Sequence, residues 1–319
     1  MRTSTTGVYV ADPHFAMDVP ASRLDNYLDA VSIKFLESLC LTRDIGADHY
    51  VILGDLFNRA DPPGIVRNKV IELLAKGNEG RPWPFRILMV LGNHDIFGHN
   101  RLTIERTASE TLNKSGVVEI FDECEDIGIF AGHYEHNIEM KRFSSEMPVW
   151  AIHSYILPNQ YMGPHVLIDD FKVNSQTKLV MTGHWHEGFP VTRRRDGVTF
   201  ANPGSLGRTS IKDASHPVNV AVVKRDGERV DVEYVPLKSA KRPEIVFDMR
   251  TAVKTSDGSS AKGFANSVLS ARSSIEKSAD SIELLHRYAV EDNIPKRILD
   301  EAVKQVNKFR DGQSKEIQS

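Results

Sequence analysis

Short apolar runs alternate with amphipathic stretches through the first third of the chain. Gly7–Ala11, Tyr50–Leu53 and Ile87–Leu91 read as strands. Between the first two, Leu24, Leu28, Val31, Phe35, Leu36 and Leu39 mark one face of a helix expected over Leu24 to Arg43. A second helix is expected over Ile65 to Lys76, after the Pro62-Pro63-Gly64 stop. Such alternation predicts buried strands with helices packed over them and functional loops at the carboxyl ends of the strands.

From about residue 128 the pattern changes to strands without long helices. Gly128 to Gly132, Val149 to His153 and Lys178 to Thr182 are apolar runs, and Asp196-Gly197 and Asp226-Gly227 are hairpin turns. Val218 to Lys224 and Arg229 to Val235 flank the second turn. The expectation is therefore an α/β catalytic domain of two packed sheets with helices outside, over residues 1–240. A linker is expected over 241–262, with its Ser/Gly-rich part at Thr255 to Lys262. Residues 263–319 read as a helical region in which Ile298, Leu299, Ala302, Val303, Val306 and Phe309 form a stripe, suited either to a docked cap or to a partner-binding helix pair.

Composition narrows this little. The 319 residues, 40% apolar and 26% charged, suit a folded globular chain. A net charge of −3 argues against a broadly basic nucleic-acid binder but leaves room for a local basic rim. Two cysteines, Cys40 and Cys124, cannot build a disulfide framework, and Cys40 falls in a helical pattern that predicts a buried free thiol. With no signal peptide and no long apolar stretch, a cytoplasmic protein without a membrane segment is expected.

The chemistry lies where the apolar runs end. Asp12-Pro13-His14, Gly54-Asp55, Gly92-Asn93-His94-Asp95, His153 and Gly183-His184-Trp185-His186 each close a β-like run, and Asn202-Pro203-Gly204-Ser205 follows. Carboxylate, amide and imidazole are ligands for hard and borderline metals. Asp12 and His14, two apart, are expected to point the same way from a strand end, as are His184 and His186. Asp55 can bridge two ions. Two such ions roughly 3.5–4 Å apart clamp a phosphoryl group and bring the pKa of a water toward neutrality. His94 is free to act as general acid, with Asp95 expected to orient it.

Taken in this order, the motifs resemble those of the calcineurin-like metallophosphoesterase superfamily over residues 7–210. The resemblance implies a four-layer α/β/β/α sandwich. It implies one metal held by Asp12, His14, Asp55 and His186, and a second held by Asp55, Asn93, His153 and His184, with His94 acting on substrate. It implies two divalent ions, manganese first, with magnesium, iron or zinc in relatives. The run Gly54-Asp55-Leu56-Phe57-Asn58 further resembles SbcD-type DNA repair exonucleases, which often carry His or Asp where Asn58 stands. The expected function is hydrolysis of DNA phosphodiesters, exo- or endonucleolytic, in repair or recombination. The expected partners are DNA, an SbcC-like SMC-type ATPase engaging the C-terminal helices, and a second copy in a homodimer. The alternative is a small-molecule phosphodiesterase or phosphatase acting on cyclic nucleotides, dinucleotides or phosphomonoesters.

Other residues carry bland expectations. Arg193-Arg194-Arg195 reads as a solvated hairpin tip, with a phosphate-backbone contact as the alternative. Arg208 stands either near the metal face or in a demanding turn. Phe15 and Tyr155 are expected to pack in the core or at the rim, with stacking on a base as the alternative, Trp185 to face the core, and His49, His99, His133, His136, His165, His216 and His286 to be surface or structural.

Overall fold

A computed structural model describes residues 2–248 except 21, 76, 78, 79, 135–142 and 162, together with a few positions between 296 and 307. One compact unit comprises Met1–Gln160 and His165–Asp248. A second comprises Tyr161–Pro164 and Met249–Ser319. The expected linker beyond residue 248 lies outside the described residues, as does most of the expected helical stripe. Of that stripe, Leu299 and Val303 are at helical positions and half-buried.

In chain order the first half contains β1 (Ser4–Val10), α1 (Tyr27–Asp44), β2 (His49–Leu53), α2 (Gly64–Ala75), β3 (Arg86–Val90), α3 (Ala108–Lys114) and β4 (Glu119–Ile120). Then come β5 (Glu123–Cys124), β6 (Ile129–Gly132), β7 (Val149–His153), β8 (Ile156–Leu157), β9 (Val166–Leu167) and β10 (Leu179–Gly183). The unit closes with β11 (Phe189–Arg193), β12 (Thr199–Asn202), β13 (Asn219–Asp226), β14 (Arg229–Pro236) and α4 (Pro243–Val246).

Two six-stranded sheets result, in the orders β14-β13-β1-β2-β3-β4 and β11-β12-β10-β7-β6-β5. Strands β1 to β4 run parallel in the first, and β6, β7, β10 and β12 in the second. The two expected hairpins form antiparallel edges, β11–β12 and β13–β14. This is the mixed α/β class, two large sheets flanked by helices.

Strand alternation explains why the sheets stack. In β2, Tyr50 and Ile52 face the helices while Val51 and Leu53 face the other sheet. The second sheet answers with Val149, Ala151, Leu179, Met181 and Ala201. With both faces covered, these strands are apolar throughout. Val31, Phe35 and Leu39 of α1 seal the outer face of the first sheet. Trp150, Ile168, Phe171 and Phe200 close that of the second, with the small β8–β9 sheet among the covering segments.

Helix α1 begins later than its apolar spacing suggests. Asn26 caps it by accepting from the Asp29 N–H at 3.2 Å, so Leu24 precedes the helix and is exposed. Cys40 is half-buried rather than buried; burial raises its pKa, so it remains a thiol. Among the described residues no helix is long and apolar enough to cross a membrane. Phe35 is fully enclosed and meets Phe15 and Tyr50 edge-on at 5.2 and 5.7 Å. Phe35→Ala is expected to lower stability by about 3–5 kcal/mol, measured by urea unfolding, because the helix–sheet core cannot collapse onto the void.

Candidate metal centre

The ligand-type residues gather where parallel strands of both sheets end. Asp12 and His14 follow β1, Asp55 follows β2, and Asn93 follows β3; His153 closes β7, and His184 and His186 follow β10. The chain turns sharply at these points. Asp12, His14 and Asp55 each have φ of 50°, and His184 has 80°. That left-handed backbone is costly for residues bearing a Cβ and is retained where the surroundings dictate it. Asp12 and His14 therefore do not project from one side of an extended strand, as their spacing suggests, and neither do His184 and His186.

Hydrogen bonds hold the turns. The His14 N–H donates to the Asp55 carbonyl at 2.9 Å, and the His184 N–H donates to both Asp12 carboxylate oxygens at 3.0 Å. Ser205 Oγ donates to the Asp12 carbonyl at 2.9 Å, and Asn202 Nδ2 to the Trp185 carbonyl at 3.1 Å. The Asn202–Ser205 segment thus braces two ligand loops from behind. Glycine is required by space at Gly54, Gly92 and Gly183, among others: a Cβ would fall on the His153 imidazole, the Asp55 carboxylate and the Leu53 carbonyl in turn. Gly54 also has φ of 90°.

Three overlapping donor groups result: Asp12, His14 and His186; Asp55, His153 and His184; and His14, Asp55 and His94. Within each, the donor atoms lie within 4.8 Å of one another. Asn93 joins the second group, its Oδ1 lying 3.1 Å from His153 Nε2. Asp55 reaches toward both sides, with Oδ2 at 3.6 Å from His14 Nε2 and 3.4 Å from His153 Nε2.

The donor set fits a pair of divalent cations. His14 Nε2 and His186 Nε2 face one another at 3.0 Å, an arrangement that repels two lone pairs unless a proton or cation lies between them. His153 Nδ1 donates to the Leu53 carbonyl at 2.7 Å, which directs Nε2 inward. Burial holds His14 and His184 well below the ordinary imidazole range, so both are neutral and able to ligate. Burial also opposes ionisation of Asp55, but His153 and His94 outweigh it and keep the carboxyl well below its usual range. At Asp12 burial wins, and the pKa is pushed up to about 6 against His153 and His186.

Residues beside the donors are arranged differently from the sequence expectation. Asp95 does not orient His94. Its buried carboxylate accepts from the N–H groups of Asp55 and Gly92 at 2.8 Å and of Phe57 at 3.4 Å, and from Ser109 Oγ at 3.3 Å. It ties the β2 and β3 loops together. His94 is held instead through Nδ1, which is 2.9 Å from the Asn58 carbonyl, so Nε2 remains for the centre. Asp213, which the sequence did not single out, lies 3.7 Å from His186 Nδ1. Burial lowers the His186 pKa, but the bond to Asp213 and the charge of Asp12 outweigh it and raise the group to about 9. The only local signal for Asp213 is its place in a Ser210-x-x-Asp213 capping box, which says nothing of His186.

Phe15 is fully buried, while Tyr155 lies over the His184 ring at 3.9 Å between centroids and Trp185 packs against the core of the second sheet. Arg194 is not part of a solvated tip: it donates to the carbonyls of Ile168 and Phe171 at 2.6 Å and pairs with Asp196 at 2.7 Å. Arg193 and Arg195 are exposed. Arg208 turns away from the donors toward the carbonyls of Lys241 and His216. His49 and His133 are buried, bonded to the Tyr9 hydroxyl at 3.3 Å and the Leu91 N–H at 2.9 Å; His136 and His286 lie outside the described residues.

Residues 8–188 match the family model described as calcineurin-like phosphoesterase, a span that includes every donor from Asp12 to His186. The chain belongs to the calcineurin-like phosphoesterase family. Its fold is similar to that of a dimetal phosphatase from Danio rerio, at 12% identity over 73% of this chain and 99% of that one, with a TM-score of 0.44. It is also similar to the protein TT1561 of Thermus thermophilus, at 9% identity, the same two coverages and a TM-score of 0.40. No curated protein matches the chain.

For a phosphoesterase of this family, the geometry separates roles that adjacent residues share in sequence. Asp95→Ala is expected to cost about 2–4 kcal/mol in stability by leaving several buried N–H groups unpaired, read as a fall in Tm. His94→Ala should leave Tm nearly unchanged and depress turnover about 100-fold or more. Asp213→Asn is expected to weaken metal binding about 10–100-fold, measured by titration calorimetry on the chelated protein.

Proposed function

We propose that this calcineurin-like phosphoesterase hydrolyses phosphodiesters of DNA with two divalent ions, manganese foremost, in the manner of SbcD-type nucleases. The observation that carries the reading is the loop Gly54-Asp55-Leu56-Phe57-Asn58. Leu56 and Phe57 are fully buried, Asp55 belongs to both donor sets, and the Asn58 carbonyl holds His94. Because the carbonyl does this work, the Asn58 side chain, which is exposed, is free to differ from the His or Asp found in the resembling motif. One ion would be held by Asp12, His14, Asp55 and His186, and the other by Asp55, Asn93, His153 and His184.

Bound there, the ions supply the charge that clamps a phosphoryl group and activates water. The chain's own residues do the rest. His94 Nε2 stands beside the donors, placed to deliver a proton to the leaving oxygen. The net charge of −3 favours the second reading, a small phosphodiester or phosphomonoester as substrate, since a chain without net positive charge does little to steer DNA.

The discriminating experiment compares linear double- and single-stranded DNA with bis-p-nitrophenyl phosphate and cyclic nucleotides, using the full chain and manganese. Degradation of DNA together with the small ester is expected, and Asp55→Ala should abolish both. Small-ester hydrolysis with intact DNA would replace the nuclease reading by the second. The partner reading, an SbcC-like ATPase engaging residues 263–319, predicts that deleting them leaves small-ester turnover unchanged and removes association with such an ATPase in pull-down.

A further inference from the structure

Behind the metal centre, on the far side of the loop that follows Ser205, lies a cavity of about 220 Å³ bounded by the start of α1 and the segment before α4. Four cations line it, Arg23, Lys34, Arg208 and Lys241, against two carboxylates, Asp25 and Asp29. Three of the cations are nine-tenths buried: Arg23 is 8% exposed, Lys34 4% and Arg208 8%.

Among the described residues, only one of the three has a carboxylate partner. Arg23 is tied to Asp25 by two bonds of 2.9 Å. Lys34 donates to the carbonyls of Leu206 and Gly207, the latter at 3.0 Å, and Arg208 to those of Lys241 and His216. Among the described residues neither has a carboxylate within ion-pair distance, and Arg208 Nε is buried with no partner at all. Buried charge is normally paired, because carbonyl dipoles do not return the full cost of desolvation. The strain shows in Lys34, whose pKa falls well below the ordinary lysine range through burial and the nearby Arg23 and Arg208. Asp213 also faces this cluster, but His186 engages it.

We propose that this cavity is an anion site that takes a tetrahedral oxyanion, inorganic phosphate or the phosphoryl group of a phosphomonoester. A guanidinium with a spare N–H and a buried ammonium are the donors such an anion selects, and the volume admits one phosphate group. The site communicates with the metal centre through two residues, Leu206 and Gly207. The Leu206 and Gly207 N–H groups donate to the carbonyls of Ala11 and Asp12 at 2.9 and 3.2 Å. The carbonyls of the same two residues receive Lys34, and Arg23 Nη1 adds bonds to Gly207 at 3.2 Å and Arg208 at 2.6 Å. An anion that draws Lys34 or Arg208 toward itself therefore pulls on the loop that fixes the Asp12 turn.

The test is calorimetric titration of inorganic phosphate, and separately of a nucleoside 5′-monophosphate, into the full chain after chelation, so that no metal ion can hold phosphate at the centre. One phosphate per chain is expected, with affinity unchanged in Asp55→Ala. Lys34→Met and Lys241→Glu should each weaken binding about tenfold or more. Lys241 is exposed, so its substitution remains informative if Lys34→Met does not fold. Binding of both ligands would show that the phosphoryl group is what is read, and binding of phosphate alone that the source is the free ion. No saturable binding of either, or full affinity in Lys241→Glu, overturns the proposal.

Discussion

The centre depends on how closely the strand ends of the two sheets approach. The imidazole of His153, at the end of β7, donates to the carbonyl of Leu53, at the end of β2, across 2.7 Å. Stacked sheets ordinarily lie about 10 Å apart, so contact of this kind needs small inward residues near the site. Ala11, Ala131, Ala151 and Ala201 supply them. Since both sheets are parallel where they meet, their carboxyl ends open on the same side, and loops from each interleave. Asp55 of the first sheet thereby meets His153 and His184 of the second as well as His14 beside it.

Support for the donors comes chiefly from backbone. Asp95 gathers N–H groups from two loops, the Asn58 carbonyl holds His94, and Ser205 and Asn202 brace the Asp12 and Trp185 carbonyls. This explains why four donors adopt left-handed backbone. A strained turn survives where several bonds dictate it, and the bonds here cross between loops far apart in the chain. Rigid donors that do not reorganise on binding are what a two-metal phosphoesterase needs to place charge where it develops in the reaction.

Much of this was legible from local pattern. The central strands, the two long helices and both hairpins follow from apolar spacing and turn residues, because a strand buried on both faces must be apolar throughout and an Asp-Gly pair accommodates positive φ. The donor set was legible for a related reason. Each donor stands one to four residues past an apolar run or at its last residue, and imidazole, carboxylate and amide in that series suit little besides metal. The misses have a common cause. Leu24 fits a helical face by spacing, yet the Asn26 cap starts the helix after it. Arg194 lies in a run of three arginines that looks solvated, but two carbonyls from another segment take its guanidinium.

What the chain by itself determined is which atoms can hold metal and on which strand ends they stand, since period-two burial and donor chemistry are local properties. Tertiary structure alone decided how those atoms are oriented and what backs them. Asp95 serves the loops rather than His94, Asp213 meets His186 from 27 residues away in sequence, and Lys34, an ordinary helix lysine by pattern, is shut in beneath the Asp12 turn. Each depends on a contact between distant segments, and such contacts leave no periodic trace in sequence because they are made once, by two particular residues, when the sheets close on each other.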